Sequence, residues 1–340
     1  MYASLFDHVL RRLDAERAHR LATHALAARG RVGRTRAPHG VLRVEALGLT
    51  FPSPLGVAAG LDKEARAYGG LAALGFGFVE VGTITAHAQP GNPKPRVWRL
   101  PEDRALINAM GFPNPGAHAA AERLRRRGGG IVGVNVGKSR AVPLDSAAHD
   151  YRASVRALAP LADFVVLNVS SPNTQGLRDL QAVDQLAELL AAVEPELAGR
   201  PLLIKLAPDL GDAELDAIAD FAVAHGVAGL VAVNTTIARD GLTDPPPHPG
   251  GVSGAPLAAR ALAVLRHLHA RAAGDLVLVS AGGIETAADV LARIRAGATL
   301  VQAYTGFVYG GPAWPARVNA ELAQLVRAAG ASSVRELVGS

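Results

Sequence analysis

Short apolar runs recur along the chain from residue 55 onward, and stretches of helical composition lie between many of them. Eight of these runs have the length expected of strands buried on both faces. They are Leu55–Ala59, Phe78–Gly82, Ile131–Val134, Phe164–Leu167, Leu202–Leu206, Leu230–Val233, Leu276–Ser280 and Leu300–Ala303. Intervening segments such as Ala182–Ala192 and Leu215–Ala224 have the composition of helices. The pattern predicts an α/β fold, a TIM (β/α)8 barrel, although periodicity alone leaves an open doubly wound sheet as the alternative.

Two connections between these runs are longer than the others. The one after the second run contains G-N-P-K-P-R at 91–96, and the one after the sixth contains D-P-P-P-H-P-G-G at 244–251. Long loops that follow barrel strands usually carry specificity or form lids. We therefore expect both connections at the active face.

The first 40 residues follow a different pattern and predict a small N-terminal helical extension. Apolar residues at helical spacing occupy positions 5, 6, 9, 10 and 13, and a second helix is expected from an Asp14 N-cap to a stop at Gly30. Residues 31–40 have the composition of a linker. These patterns divide the chain into an extension at 1–40 and a barrel at 41–340.

The extension has no sequence feature of a secretory signal or a membrane span. Asp7 interrupts the first apolar cluster, no small-residue cleavage site follows it, and no apolar run reaches the ~18 residues that a span needs. An apolar stripe with arginine flanks fits a helix pair that lies on a bilayer. The alternative is that the stripe packs on the protein's own core.

The charge of the chain is concentrated in the same extension. Residues 1–36 contain eight Arg against Asp7, Asp14 and Glu16, which accounts for the net charge of +5, and the remainder has 27 basic and 27 acidic residues. A neutral body with a basic appendage indicates an anionic surface as partner of the appendage. We expect no nucleic-acid partner.

Composition narrows the chemistry. The chain has no cysteine, which excludes disulfides, thiolate metal sites, cysteine nucleophiles and cysteine-ligated iron–sulfur clusters. Apolar residues make up 49% of it, which is ample for a large core.

The most polar of the predicted strand ends is the stretch D-F-V-V-L-N-V-S-S-P-N-T-Q-G-L-R at 163–178. Within seven residues after the buried run it supplies five hydrogen-bonding side chains, at positions 168, 170, 171, 173 and 174. The other strand ends are also rich in amide, hydroxyl and lysine groups and poor in carboxylates, which disfavours a metal site. Gly282-Gly283 together with Gly306 suggests a phosphate at the turns after the last two strands.

Taken together, the motifs resemble those of the dihydroorotate dehydrogenase family. The strings, in chain order, are A-G-L-D-K at 59–63, G-N-P-K-P-R at 91–96, G-V-N-V-G-K at 133–138, L-N-V-S-S-P-N-T at 167–174, K-L-A-P-D-L at 205–210, V-N-T-T at 233–236, G-G-V-S-G-A-P-L at 250–257, A-G-G-I at 281–284 and L-V-Q-A-Y-T-G-F at 300–307. The resemblance implies an FMN-dependent barrel that oxidises dihydroorotate to orotate in pyrimidine synthesis.

The resemblance also implies a set of site residues. FMN would contact Ala59, Gly60, Leu61, Asp62, Lys63, Thr83, Asn135, Asn168, Lys205 and Val233, with its phosphate near Gly254, Gly283, Tyr304 and Thr305. Dihydroorotate would contact Lys63, Asn108, Ala109, Met110, Gly111, Phe112, Asn168, Asn173, Asn234 and Thr235. Ser171 would be the catalytic base, and no metal is expected.

The opening residues, with L-D-A-E-R-A-H at 13–19, are similar to the helical extension of class 2 members of this family. That class passes electrons to membrane quinone, which implies a peripheral enzyme on the cytoplasmic side of the cell membrane in contact with anionic lipid. One alternative is a class 1-like soluble enzyme that uses fumarate or NAD. Another is a catalytically silent flavin barrel that serves as an interaction protein.

Two positions depart from the family's pattern. Ala109 stands where the substrate loop usually has Arg, in N-A-M-G-F at 108–112, and Val233 stands where a hydroxyl residue is common. The first departure changes the charge of the loop. A backbone contact at the second position would survive the change.

Overall fold

The computed structural model describes residues 2, 6, 8, 10–32, 39–272 and 274–340. Its centre is a closed barrel of eight parallel strands. In spatial order they are β3 (Leu55–Val57), β4 (Phe78–Ile84), β7 (Ile131–Val136), β8 (Phe164–Asn168), β9 (Leu202–Leu206), β10 (Gly229–Ala232), β12 (Val277–Ala281) and β13 (Leu300–Ala303), which pairs with β3. Each corresponds to one apolar run, so the predicted TIM barrel is confirmed and the open sheet is wrong.

Helices surround the barrel. Along the chain they are α1 (Ala15–Val32), α2 (Tyr68–Ala73), α3 (Ala117–Leu124), α4 (Ala147–Leu158), α5 (Val183–Val193), α6 (Asp212–Ala224), α7 (Ala258–Ala272), α8 (Ala287–Arg295), α9 (Thr305–Gly310) and α10 (Trp314–Ala328). Most of them pair a buried apolar face with an exposed polar face, as the outer ring of such a barrel requires.

The lower part of the barrel interior is filled by aromatic rings. Phe78 packs edge-on against Phe51 and Phe164, with ring centroids 5.3 and 6.1 Å apart. Gly56 and Gly133 leave room for these rings, because a Cβ at either position would overlap Phe78 or Phe164. This end of the barrel is closed and apolar, so the chemistry lies at the other end.

The two long connections form additional strands and pair with each other. β5 (Val97–Leu100) and β6 (Ala105–Asn108) form an antiparallel hairpin, and β11 (Gly251–Gly254) adds to β6. The stacked rings of Trp98 and His248 also join these connections, with centroids 4.2 Å apart. The sequence predicted only loops here, and the structure makes them one small sheet beside the carboxyl ends of the barrel strands. A separate hairpin, β1 (Val44–Ala46) with β2 (Leu49–Phe51), precedes the barrel.

The second helix of the extension begins as predicted but does not end as predicted. Asp14 Oδ1 accepts the N–H of Arg17 at 2.8 Å, which caps α1. The predicted stop at Gly30 is wrong, because α1 continues to Val32. A Cβ on Gly30 would lie 2.7 Å from Gly70 N, and one on Gly70 would overlap Leu26 O. Glycine therefore serves close packing between α1 and α2 rather than termination.

The structure describes the rest of the extension only in part. The predicted first helix rests partly on residues 3–5, 7 and 9, which lie outside the described residues, as do residues 33–38 of the predicted linker. Phe6 is buried against the ring of Tyr309, at a centroid distance of 5.2 Å, and Tyr2 Oη donates to Val308 O at 2.8 Å. By contrast, Leu21 on α1 is 56% exposed. The described part of the extension thus has one side on the barrel and one large apolar side chain, Leu21, in solvent.

Candidate active site

Three of the predicted side chains meet inside the barrel at the carboxyl ends of β4, β7 and β8. Thr83 Oγ1 donates to Asn135 Oδ1 over 2.6 Å. Asn168 Nδ2 donates to Thr83 Oγ1 at 2.8 Å and to Asn135 Oδ1 at 3.1 Å. All three side chains are buried. They form one hydrogen-bonded cluster of amide and hydroxyl groups at the upper end of the barrel interior.

A buried ion pair adjoins this cluster. Lys205 Nζ lies 3.9 Å from Glu80 Oε1, and both side chains point into the barrel from β9 and β4. Asn135 Nδ2 donates to the same carboxylate oxygen at 2.7 Å, and Gln302 Nε2 donates to the other. The distance between Nζ and Oε1 is longer than a direct hydrogen bond, so the ammonium of Lys205 keeps N–H donors free for a further acceptor.

The loop after β3 is built around one buried carboxylate. Asp62 is fully buried, and its two oxygens accept four backbone N–H groups, those of residues 64, 66, 67 and 68. Gly60 N donates to Gly82 O at 2.7 Å, which holds the loop against the end of β4. The Asp62 side chain is therefore committed to the loop itself. Leu61 is buried in the hydrophobic core, and Ala59 is half-buried beside Gly60.

Lys63 leaves this loop as a desolvated cation. Burial lowers the pKa of its ammonium to about 8. The charge of Glu16 raises this pKa, and the charge of Arg96 lowers it. Its Nζ donates to Gly60 O. A lysine in such a setting gains from an anionic partner, because that partner offsets the cost of burying the charge.

The Ser171 loop is anchored from both sides. Asn234 Nδ2 donates to Ser170 Oγ at 3.0 Å and to Asn168 Oδ1 at 3.2 Å. On the other side, Asn173 Nδ2 donates to Asn108 Oδ1 at 3.1 Å. Ser171 itself is buried, and its Oγ accepts the N–H of Asn173 at 3.3 Å. This donor stabilises negative charge on the serine oxygen.

An arginine that sequence reasoning did not single out ties this loop to its neighbours. Arg178 donates to Ser170 O at 3.1 Å, to Thr235 O at 3.1 Å and to Asp209 Oδ2 at 2.8 Å. Asp209 in turn accepts the hydroxyl of Thr236. One guanidinium thus joins the loops after β8, β9 and β10.

The predicted substrate loop, residues 108–112, is held mainly through its backbone. Asn92 Nδ2 donates to Ala109 O at 3.0 Å and to Asn173 O at 3.1 Å, while Asn92 N donates to Met110 O at 2.9 Å. Gly111 and Phe112 both have positive φ, and the ring of Phe112 lies beside Gly137. The departure at Ala109 places a small buried side chain among these backbone contacts.

Glycine turns converge where the phosphate was predicted. Gly254 and Gly283 have φ of +100° and +70°. A Cβ on Gly254 would lie 2.9 Å from Thr305 Cγ2, and one on Gly306 would overlap Ile284 O. Tyr304 lies close to Gly60, within 3.5 Å of where a Cβ would be placed on it. The turns after β11, β12 and β13 therefore adjoin one another, with little side-chain bulk between them.

Arg293 joins two of these turns through hydrogen bonds to their backbone. It is buried, and its Nη2 donates to Ala258 O at 2.7 Å and to Gly282 O at 3.0 Å. Those two carbonyls belong to the segments that follow β11 and β12. Val233 is also buried here, and its N–H donates a hydrogen bond to Ala281 O at 3.1 Å.

The extension reaches the Lys63 edge of the site. Glu16 on α1 accepts a forked pair of bonds from Arg96, at 2.8 and 3.1 Å. Burial raises the pKa of Glu16, but the hydrogen bond and charge of Arg96 outweigh it and hold that pKa below its usual value. His19, one turn on, has its pKa lowered to about 3 by burial and by the charge of Lys63, so its ring is neutral at pH 7.

Two further findings concern the described residues. No three His, Asp or Glu side chains among residues 2, 6, 8, 10–32, 39–272 and 274–340 come together as a metal-binding group. In that same part of the chain, no helix has the length and hydropathy needed to cross a bilayer.

Comparison with known proteins decides the family. The sequence model of the family "Dihydroorotate dehydrogenase" matches residues 41–326, which is most of the chain and contains every predicted site residue. The chain belongs to the dihydroorotate dehydrogenase family.

Relatives within the dihydroorotate dehydrogenase family match nearly from end to end. A dihydroorotate dehydrogenase (quinone) of Thermobifida fusca is 53% identical, and the alignment covers 100% of this chain and 96% of that protein. The corresponding protein of Rhodococcus opacus is 54% identical over 99% of this chain and 98% of its own length.

Solved structures agree with the assignment. The crystal structure of the dihydroorotate dehydrogenase of Eimeria tenella in complex with ferulenol superposes with a TM-score of 0.90 at 38% identity, and the match covers 96% of this chain and 95% of that one. The ligand-free form from the same organism gives the same TM-score over 96% and 99% of the two chains.

Sequence reasoning missed five polar or charged side chains of this dihydroorotate dehydrogenase site, which lie below or beside the predicted ligands. Glu80 had a visible signal, since it is a carboxylate in the middle of an apolar strand, F-V-E-V. Gln302 similarly interrupts L-V-Q-A. Arg178, Asp209 and Arg293 had none, because arginine and aspartate in loops and helices are usually solvated.

Proposed function

We propose that this protein is an FMN-dependent dihydroorotate dehydrogenase that oxidises (S)-dihydroorotate to orotate and passes the electrons to membrane quinone in pyrimidine synthesis. The observation that carries the proposal is the convergence of Lys63, the amide cluster and the Ser171 loop at one end of a barrel of this family. Relatives named as quinone enzymes match over 96–100% of both chains. The class 1-like alternative has no such support.

The residues fit a flavin mononucleotide. The turns at Gly254, Gly283 and Gly306 have no room for a side chain, and the backbone N–H groups of such glycine turns suit a phosphate. Lys205 has spare donor capacity where the barrel interior meets the amide cluster. Thr83, Asn135 and Asn168 offer donors and acceptors for a polar heterocycle. Asp62 and Leu61 contribute through the loop backbone, since their side chains are committed elsewhere.

The chain's own residues bind and orient the substrate. Lys63 pairs with the carboxylate of dihydroorotate, which relieves the cost of its buried charge. Asn108, Asn173 and Asn234 supply the amide groups that a cyclic ureide needs for paired hydrogen bonds, with Thr235 beside them. A bound flavin supplies the hydride acceptor for C6 of the substrate.

Ser171 removes the proton from C5. Serine is a weak base at its free pKa, so its oxygen must be positioned, and its own hydroxyl proton must pass to solvent or to another acceptor when the oxygen takes the C5 proton. The N–H of Asn173 stabilises the serine oxygen as that hydroxyl proton leaves, and the anchors at Ser170 and Asn173 fix the loop on both sides of the hydroxyl. The residue is also shielded from water, being 6% exposed.

The extension at 1–40 is proposed as the quinone and membrane side of the molecule. The match to the family begins at residue 41, which supports a division between extension and barrel. Exposed Leu21 and the arginines of α1 suit contact with an anionic membrane surface. We place the protein peripherally, on the cytoplasmic side of the cell membrane.

One experiment tests the core of the proposal. Purified protein is expected to carry FMN, and its absorbance is expected to bleach when dihydroorotate is added without oxygen and to return when quinone is added. Protein that never acquires flavin would point to the silent-barrel alternative. Reoxidation by fumarate or NAD but not by quinone would point to the class 1-like alternative.

A further inference from the structure

Glu80 is a fully buried carboxylate that the proposed chemistry does not use. It lies in the middle of β4 with an exposed fraction of 0%. Its neighbours are Asn135 Nδ2 at 2.7 Å, Lys205 Nζ at 3.9 Å and Gln302 Nε2. It contacts neither Lys63 nor the Ser171 loop directly, so it is not a substrate ligand.

Folding alone does not account for this residue. A buried ion pair usually contributes little net stability, and apolar side chains of similar volume are often as stable or more so. The inward positions below Glu80 are occupied by such groups, with Phe78 on the same strand and Phe164 on β8. A carboxylate at this level of the barrel therefore indicates a role in the site above it.

The Glu80 carboxylate determines which end of each amide in the cluster donates and which end accepts. Since Asn135 Nδ2 is committed to Glu80, its Oδ1 faces Thr83 and Asn168 as an acceptor. Asn168 must then present Nδ2 to those groups and Oδ1 to Asn234 and Ser170. One carboxylate thus orients a chain of hydrogen bonds from the barrel interior to the loop that carries Ser171.

The same carboxylate partly neutralises Lys205. A cation at the cofactor site favours the electron-rich form of a flavin, and a nearby anion in a low-dielectric interior opposes that effect. At 3.9 Å the anion is close enough to matter without taking all the donors of the ammonium.

We propose that Glu80 is a positioning residue that orients Lys205 and Asn135 at the cofactor site and lowers the midpoint potential of the bound flavin. The inference rests on the proposed function. A lower potential favours onward transfer of the electrons to quinone, at some expense to the driving force for dihydroorotate oxidation.

The test is the isosteric variant Glu80→Gln. The side chain keeps its size. The buried Oε1 of Gln302, which has no hydrogen-bond partner among the described residues, becomes available to the new amide when the Gln302 amide group turns over. We expect flavin to be retained and the equilibrium for two-electron reduction to shift about tenfold toward the reduced form, which corresponds to a rise of about 30 mV in midpoint potential. The matched control is Glu188→Gln, the same charge change on an exposed position of α5, which should leave the potential unchanged.

The outcomes separate the inference from the proposed function. An unchanged potential in a flavin-loaded Glu80→Gln variant would overturn the inference while dihydroorotate still bleaches the parent enzyme. Lower thermal stability of the flavin-free variant with no change in potential would also overturn it, because that is the result of a purely structural role. Failure of the parent protein to bind flavin or to be bleached would instead count against the proposed function.

A second variant covers the case in which the single substitution prevents folding. Glu80→Gln combined with Gln302→Glu keeps one carboxylate and one amide in the pair but moves the charge to β13, away from Lys205 and Asn135. The potential should again rise relative to the parent. An unchanged potential in this double variant would overturn the inference.

Discussion

Ser171 is the residue on which the proposed chemistry depends most directly. Its hydroxyl accepts one backbone N–H and lies in a loop held at Ser170 and Asn173. Ser171→Ala should therefore retain FMN and dihydroorotate binding but slow flavin reduction by about 10²–10⁴-fold, the usual contribution of a general base. Stopped-flow absorbance measures this rate.

The matched control for this prediction is Thr174→Ala, which removes another hydroxyl of the same loop. It should leave the rate of flavin reduction close to that of the parent. A Ser171→Ala enzyme that is reduced within about twofold of the parent, together with a slow Thr174→Ala enzyme, would assign the base to Thr174.

Lys63 should make substrate binding depend on pH. Burial lowers the pKa of its ammonium from 10.5 to about 8, so the cation is lost as the pH rises through about 8. Affinity for the dihydroorotate carboxylate should be constant below that pH and fall above it, by up to about tenfold per unit. Between about 8 and 10.5 the native state binds fewer protons at this site than the unfolded state, so this residue's contribution to the free energy of unfolding rises with pH in that window.

Binding titrations at several pH values test this prediction, with the flavin spectrum as the signal. Lys63→Met should bind weakly at every pH and show no transition near 8. A transition that persists in this variant would mean that another group controls binding.

The loops after β8, β9 and β10 act as one unit because Arg178 joins them. Removing it leaves the carbonyls of Ser170 and Thr235 without this donor and Asp209 without its counterion. We expect Arg178→Met to slow flavin reduction while flavin content is unchanged, and to lower the free energy of unfolding by about 1–3 kcal/mol.

A double-mutant cycle with Asp209→Asn identifies the cause. If the ion pair positions the loop, Arg178→Met and Asp209→Asn should not be additive in the rate of flavin reduction, and the double variant should be close to the slower single variant. Full additivity would show that the two residues act on the loop separately.

The strands differ in how well the sequence predicts them. All eight barrel strands were predictable, because a strand buried on both faces is a continuous apolar run that does not depend on distant partners. The sheet of β5, β6 and β11 was not, since Gly251–Gly254 has no strand pattern and pairs with β6 across more than 140 residues of chain. Gly30 indicated a helix end by its type, yet the approach of Gly70 makes it a packing position.

The site was predictable in part for a similar reason. Residues such as Lys63, Asn168 and Ser171 stand in motifs at strand ends, so the order of the chain brings them to one face. The direction of each amide, and the roles of Glu80 and Arg178, depend on hydrogen bonds between different strands and loops. No local pattern encodes those bonds.

The helix α1 of the extension has one side on the barrel and another in solvent. Glu16 pairs with Arg96 and Gly30 packs on Gly70, so deleting the extension would expose buried groups. Leu21 is a sharper test of membrane contact, because it is 56% exposed.

Leu21→Gln should weaken binding to anionic vesicles on the order of tenfold, since it removes about 1–2 kcal/mol of apolar burial in the lipid interface. Thermal stability and dihydroorotate-driven flavin reduction should not change, whereas reoxidation by long-chain quinone presented in vesicles should slow.

Added salt should reduce vesicle binding of the parent and the variant alike, because the attraction between arginines and anionic lipid is screened over about 8–10 Å. Val223→Gln, at an exposed position of α6, is the matched control and should bind vesicles like the parent. Equal vesicle binding by the parent and Leu21→Gln would mean that the membrane contact lies elsewhere on the protein or has no role in the mechanism.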